Sequence, residues 1–158
     1  MKVTLRQLDQ EFALMAASHQ QLADYFWGDW ADSFEGRVQQ YPVMVVNIPT
    51  PVTFERVTTV LPINIIIADQ VKQDNSNLKE VESDTMQILR DVYALIKSAP
   101  NWNAFGVIKT ANIPIKFRDK SPDETAGWQM TINLKMIDSR GLCDLPFDAY
   151  DTNKKIGS

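Results

Sequence analysis

The amino-acid sequence predicts an α+β domain in which two main helices pack on one face of a mainly antiparallel β-sheet. Apolar residues recur at helical spacing in two segments, one near the N-terminus and one after residue 77. The other apolar runs are short and rich in β-branched residues, which favour strands. The element order is helix, strands, helix, strands, without the repeated β-α-β unit of a parallel sheet. A chain of 158 residues suits one domain with one core.

The first predicted helix runs from about Thr4 to Phe26. Thr4 can cap its N-terminus, and Gln7 stands three residues later, as a capping box requires. Gly28 is expected to end the helix. The apolar series has steps of three and four, with His19 in its one remaining position, and comprises Leu5, Leu8, Phe12, Met15, Leu22 and Phe26.

The second predicted helix begins after the polar residues 74–77, where Asn77 and Glu80 form a box-like pair. Its early acidic residues favour the positive end of the helix dipole. Lys97 and Pro100 bring it to a close. The buried stripe is expected to comprise Val81, Ile88, Leu89, Val92, Leu95 and Ile96.

Strands are predicted before and after this helix. A valine-rich strand covers Tyr41 to Ile48, and Thr53 to Val60 with Pro62 to Val71 forms a hairpin or one long bent pair. Three more strands are expected at Phe105–Thr110, Ile113–Phe117 and Trp128–Ile137. The last strand alternates, which puts on one face Trp128, Met130, Ile132, Leu134 and Met136. The tail after Gly141 has little periodicity, so residues 1–141 are predicted to form the domain and residues 142–158 a C-terminal arm.

Composition and charge exclude several function classes. The formal charge of −4 argues against nucleic-acid binding through phosphate contacts and against docking on an anionic membrane. The N-terminal residues have no apolar signal-peptide region, and no apolar run is long enough to span a bilayer. Cys143 is the only cysteine, which excludes an intrachain disulfide and favours a reducing compartment. The protein is therefore expected to be made in the cytoplasm and to stay soluble there.

The sequence contains no recognisable catalytic, cofactor or metal motif. The glycines form no phosphate-binding pattern. His19, the only histidine, is expected to be a partly buried imidazole with one hydrogen-bond partner, because one histidine and one distant cysteine make a poor zinc site. A Cys143–His19 nucleophile pair lacks any supporting motif, so Cys143 is interpreted as a packing residue. The acidic cluster from Asp69 to Asp84 lacks calcium-loop spacing, and the start of a helix explains its second half.

Trp27 and Trp30 lie in an irregular glycine-bounded segment after the first helix. Two readings are open. The segment folds against the core, or the two tryptophans are anchors at a protein–protein interface, where tryptophan is enriched.

A series of short motifs runs through residues 5–147, nearly the whole chain. The motifs are Ala16–His19, Phe26–Trp30, Gln40–Pro42, Ile66–Val71, Asp74–Asn77, Val81, Ser83–Thr85, Ile88–Asp91, Ala126–Ile132 and Cys143–Pro146. In this order they resemble small neck or tail-completion proteins of tailed bacteriophages, especially the crAss-like phages and others that infect Bacteroidetes. The segment Phe117–Glu124 departs from the aromatic and acidic pattern of that group.

The resemblance implies a virion protein with a tail-terminator-like fold, assembled as a ring between the portal and the tail. Such a homo-oligomeric ring has cyclic symmetry with head-to-tail contacts, and about twelve copies are expected, with six as the alternative. Its partners would be the portal and adjacent neck or tail proteins. DNA would pass through the channel without specific binding, because an acidic lumen repels phosphate.

No catalytic residue and no cofactor are expected. Three groups of residues are expected to make contacts between subunits. Trp27 and Trp30 are interface candidates. The acidic residues at the second helix are expected near the lumen or a subunit boundary, namely Asp74, Glu80, Glu82 and Asp84. Asp144 and Phe147 belong to the C-terminal arm, which is expected to dock on a neighbouring subunit or ring.

Two other functions are open. One is a small enzyme or ligand-binding domain with a pocket between sheet and helices. The other is a subunit of a related contractile injection apparatus.

Overall fold

The computed structural model describes residues 4–49, 51–99, 102, 105–107, 112–120, 122–137 and 157. These residues contain two α-helices, α1 (Leu5–Ser18) and α2 (Leu78–Ser98), and a short 3-10 helix at Ala31–Phe34. They also contain seven strands: β1 (Asp24–Trp27), β2 (Val43–Asn47), β3 (Thr53–Phe54), β4 (Thr58–Gln70), β5 (Phe105–Val107), β6 (Ile115–Asp119) and β7 (Thr125–Ile137). None of the described helices is both long enough and apolar enough to cross a membrane.

The sheet is built around one long antiparallel pair. β4 and β7 pair along their whole length, from Thr58 opposite Ile137 to Gln70 opposite Thr125. The strand order is β1-β2-β4-β7-β5, with β3 also beside β4 and β6 also beside β7. All of these pairs are antiparallel except β1 with β2. The predicted α+β class with a mainly antiparallel sheet is therefore confirmed.

Both helices pack on the same face of the sheet, as predicted. Alternation along the strands sends every second side chain of β2, β4 and β7 into this layer, because successive residues of a strand point to opposite faces. Each fully buried aliphatic side chain contributes about 1.5–3 kcal/mol relative to exposure, so this layer is the main source of stability. Its buried residues include Leu8, Phe12 and Met15 of α1, Ile88, Leu89 and Val92 of α2, and Met44, Ile63, Ile65, Met130, Ile132 and Leu134 of the sheet.

A second, smaller core lies on the opposite face. The segment between β1 and β2 crosses this face and covers the strand residues Val43, Val45, Ile66 and Ala68. Trp30 holds the segment in place, because its Nε1 donates a 2.6 Å hydrogen bond to Asp119 Oδ2. The ring of Trp30 also packs edge-on against Phe117, with centroids 4.7 Å apart. The first reading of the sequence at this segment, a loop folded against the core, is what the structure contains.

The first helix is shorter than predicted. It ends at Ser18, with His19 as an extended C-cap residue, and Asp24–Trp27 form strand β1 instead of a helix end. In β1 the aromatic side chains alternate: Tyr25 and Trp27 pack with the helix-side core, and Phe26 packs with the opposite core. Leu22 and Phe26 matched the helical spacing by coincidence, and pairing with β2 decided the conformation. Gly28, with φ of 146°, ends a strand and not a helix.

The boundaries of the other strands also differ from prediction. β2 is shorter at both ends than Tyr41–Ile48, β6 is shifted to Ile115–Asp119, and β7 starts three residues earlier than Trp128. Beyond Val107, the predicted residues 108–110 lie outside the described part of the chain.

The end of the second predicted strand, from Thr58, joins the third in one continuous strand, β4, with Pro62 inside it, whereas Thr53–Phe54 form the separate short strand β3. On one side of β4, β2 pairs with residues 64–68 and β3 pairs with residues 59–60, so neither strand pairs with Pro62. Proline is tolerated at this position because neither of these strands needs a backbone N–H from it.

Helix α2 matches its predicted start and end closely. Two details differ. Leu95 is exposed. Thr85 is fully buried in the stripe, and its hydroxyl donates a 2.6 Å hydrogen bond to the carbonyl oxygen of Val81. Asn77 precedes the helix without capping it, since its side chain accepts from Lys72 N at 2.8 Å and so closes the preceding loop.

Candidate functional site

A groove runs between the outer sides of α1 and α2. It consists of two adjoining cavities of about 460 and 280 Å³, which share Met15, Ser18 and Leu95 as lining residues. We call this feature the inter-helix groove. The larger cavity is also lined by His19, Gln20, Gln21, Asp91 and Val92, and the smaller by Glu11, Leu14 and Trp102. The walls therefore combine apolar and polar side chains in similar measure, and the charged side chains Glu11 and Asp91 are both acidic.

His19 joins the end of α1 to α2 at this groove. Its Nε2 lies 2.9 Å from Asp91 Oδ2, and its Nδ1 accepts a 3.1 Å hydrogen bond from the backbone N–H of Gln21. Since Nδ1 is an acceptor, the hydrogen is on Nε2, and Nε2–H donates a hydrogen bond to the carboxylate of Asp91. His19 therefore has two hydrogen-bond partners, whereas the sequence analysis expected one.

The sequence Ser18-His19 with Asp91 nearby invites comparison with a nucleophilic triad. Both ring nitrogens of His19 are already occupied, so neither can take a proton from a serine hydroxyl. The hydroxyl of Ser18 instead donates a 2.7 Å hydrogen bond to the carbonyl oxygen of Leu14 in the same helix. The arrangement fixes the end of α1 and does not activate a nucleophile.

The hairpin that joins β3 and β4 carries exposed apolar side chains. We call residues 52–57 the hairpin tip. Phe54 is 84% exposed and Val57 is 53% exposed. The turn is held by Glu55, whose N–H donates 2.7 Å to Thr58 O and whose carboxylate accepts 2.6 Å from Thr58 Oγ1. The bond from Thr58 and the nearby Lys135 lower the pKa of Glu55, so it is ionised and keeps both contacts. The tip is a hydrogen-bonded turn that exposes the large apolar side chains Phe54 and Val57.

The opposite side of the sheet has a second exposed apolar edge. β6 pairs with β7, and no other described strand pairs with it. Ile115 and the preceding Ile113 are exposed on this edge. Lys116 lies 3.5 Å from Glu82 of α2, and Arg118 lies 3.0 Å from Glu124, so the charged residues of β6 are directed to the chain itself.

The predicted interface tryptophans are half-buried by their own chain. Trp27 packs against Phe12 of α1 at a centroid distance of 6.5 Å, and Trp30 lies on the other face between Phe34 and Phe117. The two therefore serve different cores and are not brought together. Their role at an interface stays a prediction.

The four predicted acidic residues do not share one face. Glu80 and Asp84 are exposed one turn apart on α2, whereas Glu82 is half-buried on another side of the helix, beside Lys116. Asp74 lies in the loop before α2, where hydrogen bonds from Ser76 lower its pKa.

Asp69 belongs to the same region, and burial, with a smaller contribution from Asp84, raises its pKa. Among the described residues, no group of three or more His, Cys, Asp or Glu side chains could hold a metal ion.

The remaining predicted residues, Cys143, Asp144 and Phe147, lie outside the described part of the chain, as does most of the expected C-terminal arm.

Sequence reasoning missed both the hairpin tip and the inter-helix groove. The tip has a weak signal, since Glu55 and Arg56 interrupt an otherwise strand-like stretch between Phe54 and Val57. The groove has none that one sequence could give, because it forms only when Asp91 and Leu95 of α2 come beside the end of α1.

A comparison of the sequence with protein-family models and with curated protein sequences found no match.

Proposed function

We propose that the chain is a structural subunit that assembles into a ring at the head-to-tail junction of a tailed phage, where it joins the portal to the tail. The observation that supports this proposal best is the exposure of large apolar side chains on two opposite sides of the sheet. Phe54 lies at the hairpin tip, whereas Ile113 and Ile115 lie at the β6 edge. Exposed apolar edges are typical of surfaces that bind another protein.

The two apolar surfaces differ from each other, which bears on symmetry. A dimer with a two-fold axis uses the same patch on both partners, whereas a ring needs two different patches that meet head to tail. The hairpin tip and the β6 edge are different patches, so the exposed apolar surface is not one self-complementary patch. This arrangement supports a cyclic oligomer, with about twelve copies as the expected number and six as the alternative.

The resemblance found in the sequence supplies the location in the virion. In such a ring the chain is a non-enzymatic wall around the DNA channel. Glu80 and Asp84 are exposed on α2 and have no ion pair with another described residue. Carboxylates of this kind on the channel side would repel phosphate and let DNA pass without specific binding.

The test is the mass of the purified protein over a concentration series, followed by negative-stain imaging with and without the portal protein. We expect closed rings, formed by the protein alone or on the portal. A monomer that joins neither the portal nor any tail protein at high concentration would refute the proposal. Truncation after Leu145 should weaken binding to the neighbouring ring if the arm docks as expected.

A further inference from the structure

We propose that the hairpin tip of one subunit seats in the inter-helix groove of the next subunit. This inference rests on the proposed ring function and deepens it, because it names the two surfaces that meet. The occupant of the groove is a second copy of this chain.

The groove is large enough for the apolar side chain at the tip, and apolar residues lie where its two cavities adjoin. The tip presents Phe54 as an apolar knob that the described residues leave 84% exposed. The groove offers adjoining cavities of about 460 and 280 Å³ with Met15 and Leu95 between them. A phenyl ring fits in far less space, since an apolar cavity of about 150 Å³ holds benzene. Seating the ring would also cover Leu95, the one residue of the predicted α2 stripe that the fold leaves exposed.

Charge complementarity orients the same contact. Arg56 at the turn is exposed and forms no ion pair with another described residue. Asp91 in the groove is 58% exposed although its Oδ2 is bound to His19, so a second partner can reach the carboxylate. A guanidinium opposite this carboxylate would form a charge-assisted hydrogen bond, and such pairs fix register between subunits.

The contact is head to tail. The tip continues the ends of β4 and β7, whereas the groove lies on the outer side of the two helices. Tip and groove are different surfaces, so each subunit uses one of them toward each neighbour, and repetition of the same rotation closes a ring.

The decisive experiment reverses the two charges separately. Arg56→Glu and Asp91→Arg should each abolish association when the variant is alone, because like charges then meet at every contact. Mixed in equal amounts, the two variants should assemble again, since each junction then pairs opposite charges. Association is measured by sedimentation over a concentration series, with the portal present if wild-type subunits need it.

A second pair of variants tests the apolar knob. Phe54→Asp should weaken association on the order of 30-fold, because a buried aromatic anchor is replaced by a charge. Val38→Asp is the matched control, since Val38 is exposed on the segment between β1 and β2 and should leave association unchanged. Circular dichroism and thermal unfolding verify that every variant is folded. Asp91→Asn serves as a milder variant that keeps a hydrogen-bonding group for His19.

The inference would be overturned if either charge-reversed variant assembled like the wild type, or if the mixture failed to assemble. It would also be overturned if Arg56→Glu blocked only binding to the portal, or if truncation after Leu145 showed that the arm occupies the groove. If these variants still formed rings like those of the wild-type protein, the tip–groove contact would be refuted, but the proposed ring function would not. Charge-dependent association into open filaments that never join the portal would instead refute the ring function and keep the contact.

Discussion

Close packing at single residues of the sheet sets the strictest limits on this sequence. Gly127 lies inside β7, opposite Ala68 of β4 and Phe117 of β6. A Cβ atom added there would lie 1.9 Å from the carbonyl oxygen of Ile67. Because the clashing atom belongs to the backbone of the central strand, no side-chain rotation can relieve it.

Gly127→Ala is therefore expected to destabilise the fold by about 3 kcal/mol or more, through forced separation of β4 and β7. Gly106→Ala is the matched control in the same sheet, because the nearest atoms to its added Cβ are 3.9 Å away. Denaturant unfolding of the two variants measures the difference. Equal stabilities would show that β7 is placed differently at Gly127.

Asp69 is a second residue whose surroundings decide its effect. Burial raises its pKa above the usual value, so the ionised carboxylate is less favourable in the folded than in the unfolded state. The contribution of Asp69 to the free energy of unfolding is therefore fully present below the pKa that Asp69 has in the unfolded chain. This contribution is lost as the pH rises through the higher pKa that Asp69 has in the folded protein.

Asp69→Asn should accordingly be more stable than the wild type at pH 7, and the difference should shrink toward pH 3, where both side chains are neutral. Asp74→Asn provides the opposite case, since bonds from Ser76 lower the pKa of Asp74. Unfolding free energies measured from pH 3 to pH 7 test both signs. A stabilisation of Asp69→Asn that did not depend on pH would contradict the explanation.

At the scale of elements, α1 shows how local signals can be right at one end of a helix and wrong at the other. The start of α1 is determined by residues that are close together in the sequence. Thr4 Oγ1 accepts from Gln7 N at 3.2 Å, and the Gln7 side chain accepts from Thr4 N at 2.9 Å. Its end depends on distant partners, because β1 pairs with β2 and His19 binds Asp91 of α2.

Thr4→Ala should cost about 1 kcal/mol, because it leaves an N-terminal N–H of α1 without its acceptor. Thr53→Ala is the control, since Thr53 is exposed and its hydroxyl has no described hydrogen bond; a change within about 0.5 kcal/mol is expected. Chemical denaturation compares them. If the two variants lost the same stability, the capping box would contribute nothing beyond a general threonine effect.

At the scale of the whole molecule, the described residues cover one face of the sheet and part of the other, and they leave apolar side chains exposed at an edge and at a hairpin tip. The two helices cover one face and the segment between β1 and β2 covers part of the other. The hairpin tip and the β6 edge remain with exposed apolar side chains. Exposed apolar side chains at an edge and at a tip of the described sheet are suited to contacts between subunits around a ring.

The sequence alone determined the fold class, both helix starts, the α2 stripe apart from Leu95, and the alternation in β7. These features depend on neighbours along the chain: capping groups lie three residues apart, and apolar periods of 3.6 and 2 are local. The tertiary structure decided the rest. It converted residues 24–27 into a strand, divided the tryptophans between two cores, and left Phe54 outside both. It also brought His19 to Asp91 across 72 positions of sequence, a contact that no local pattern encodes because it depends on how two helices are placed on one sheet.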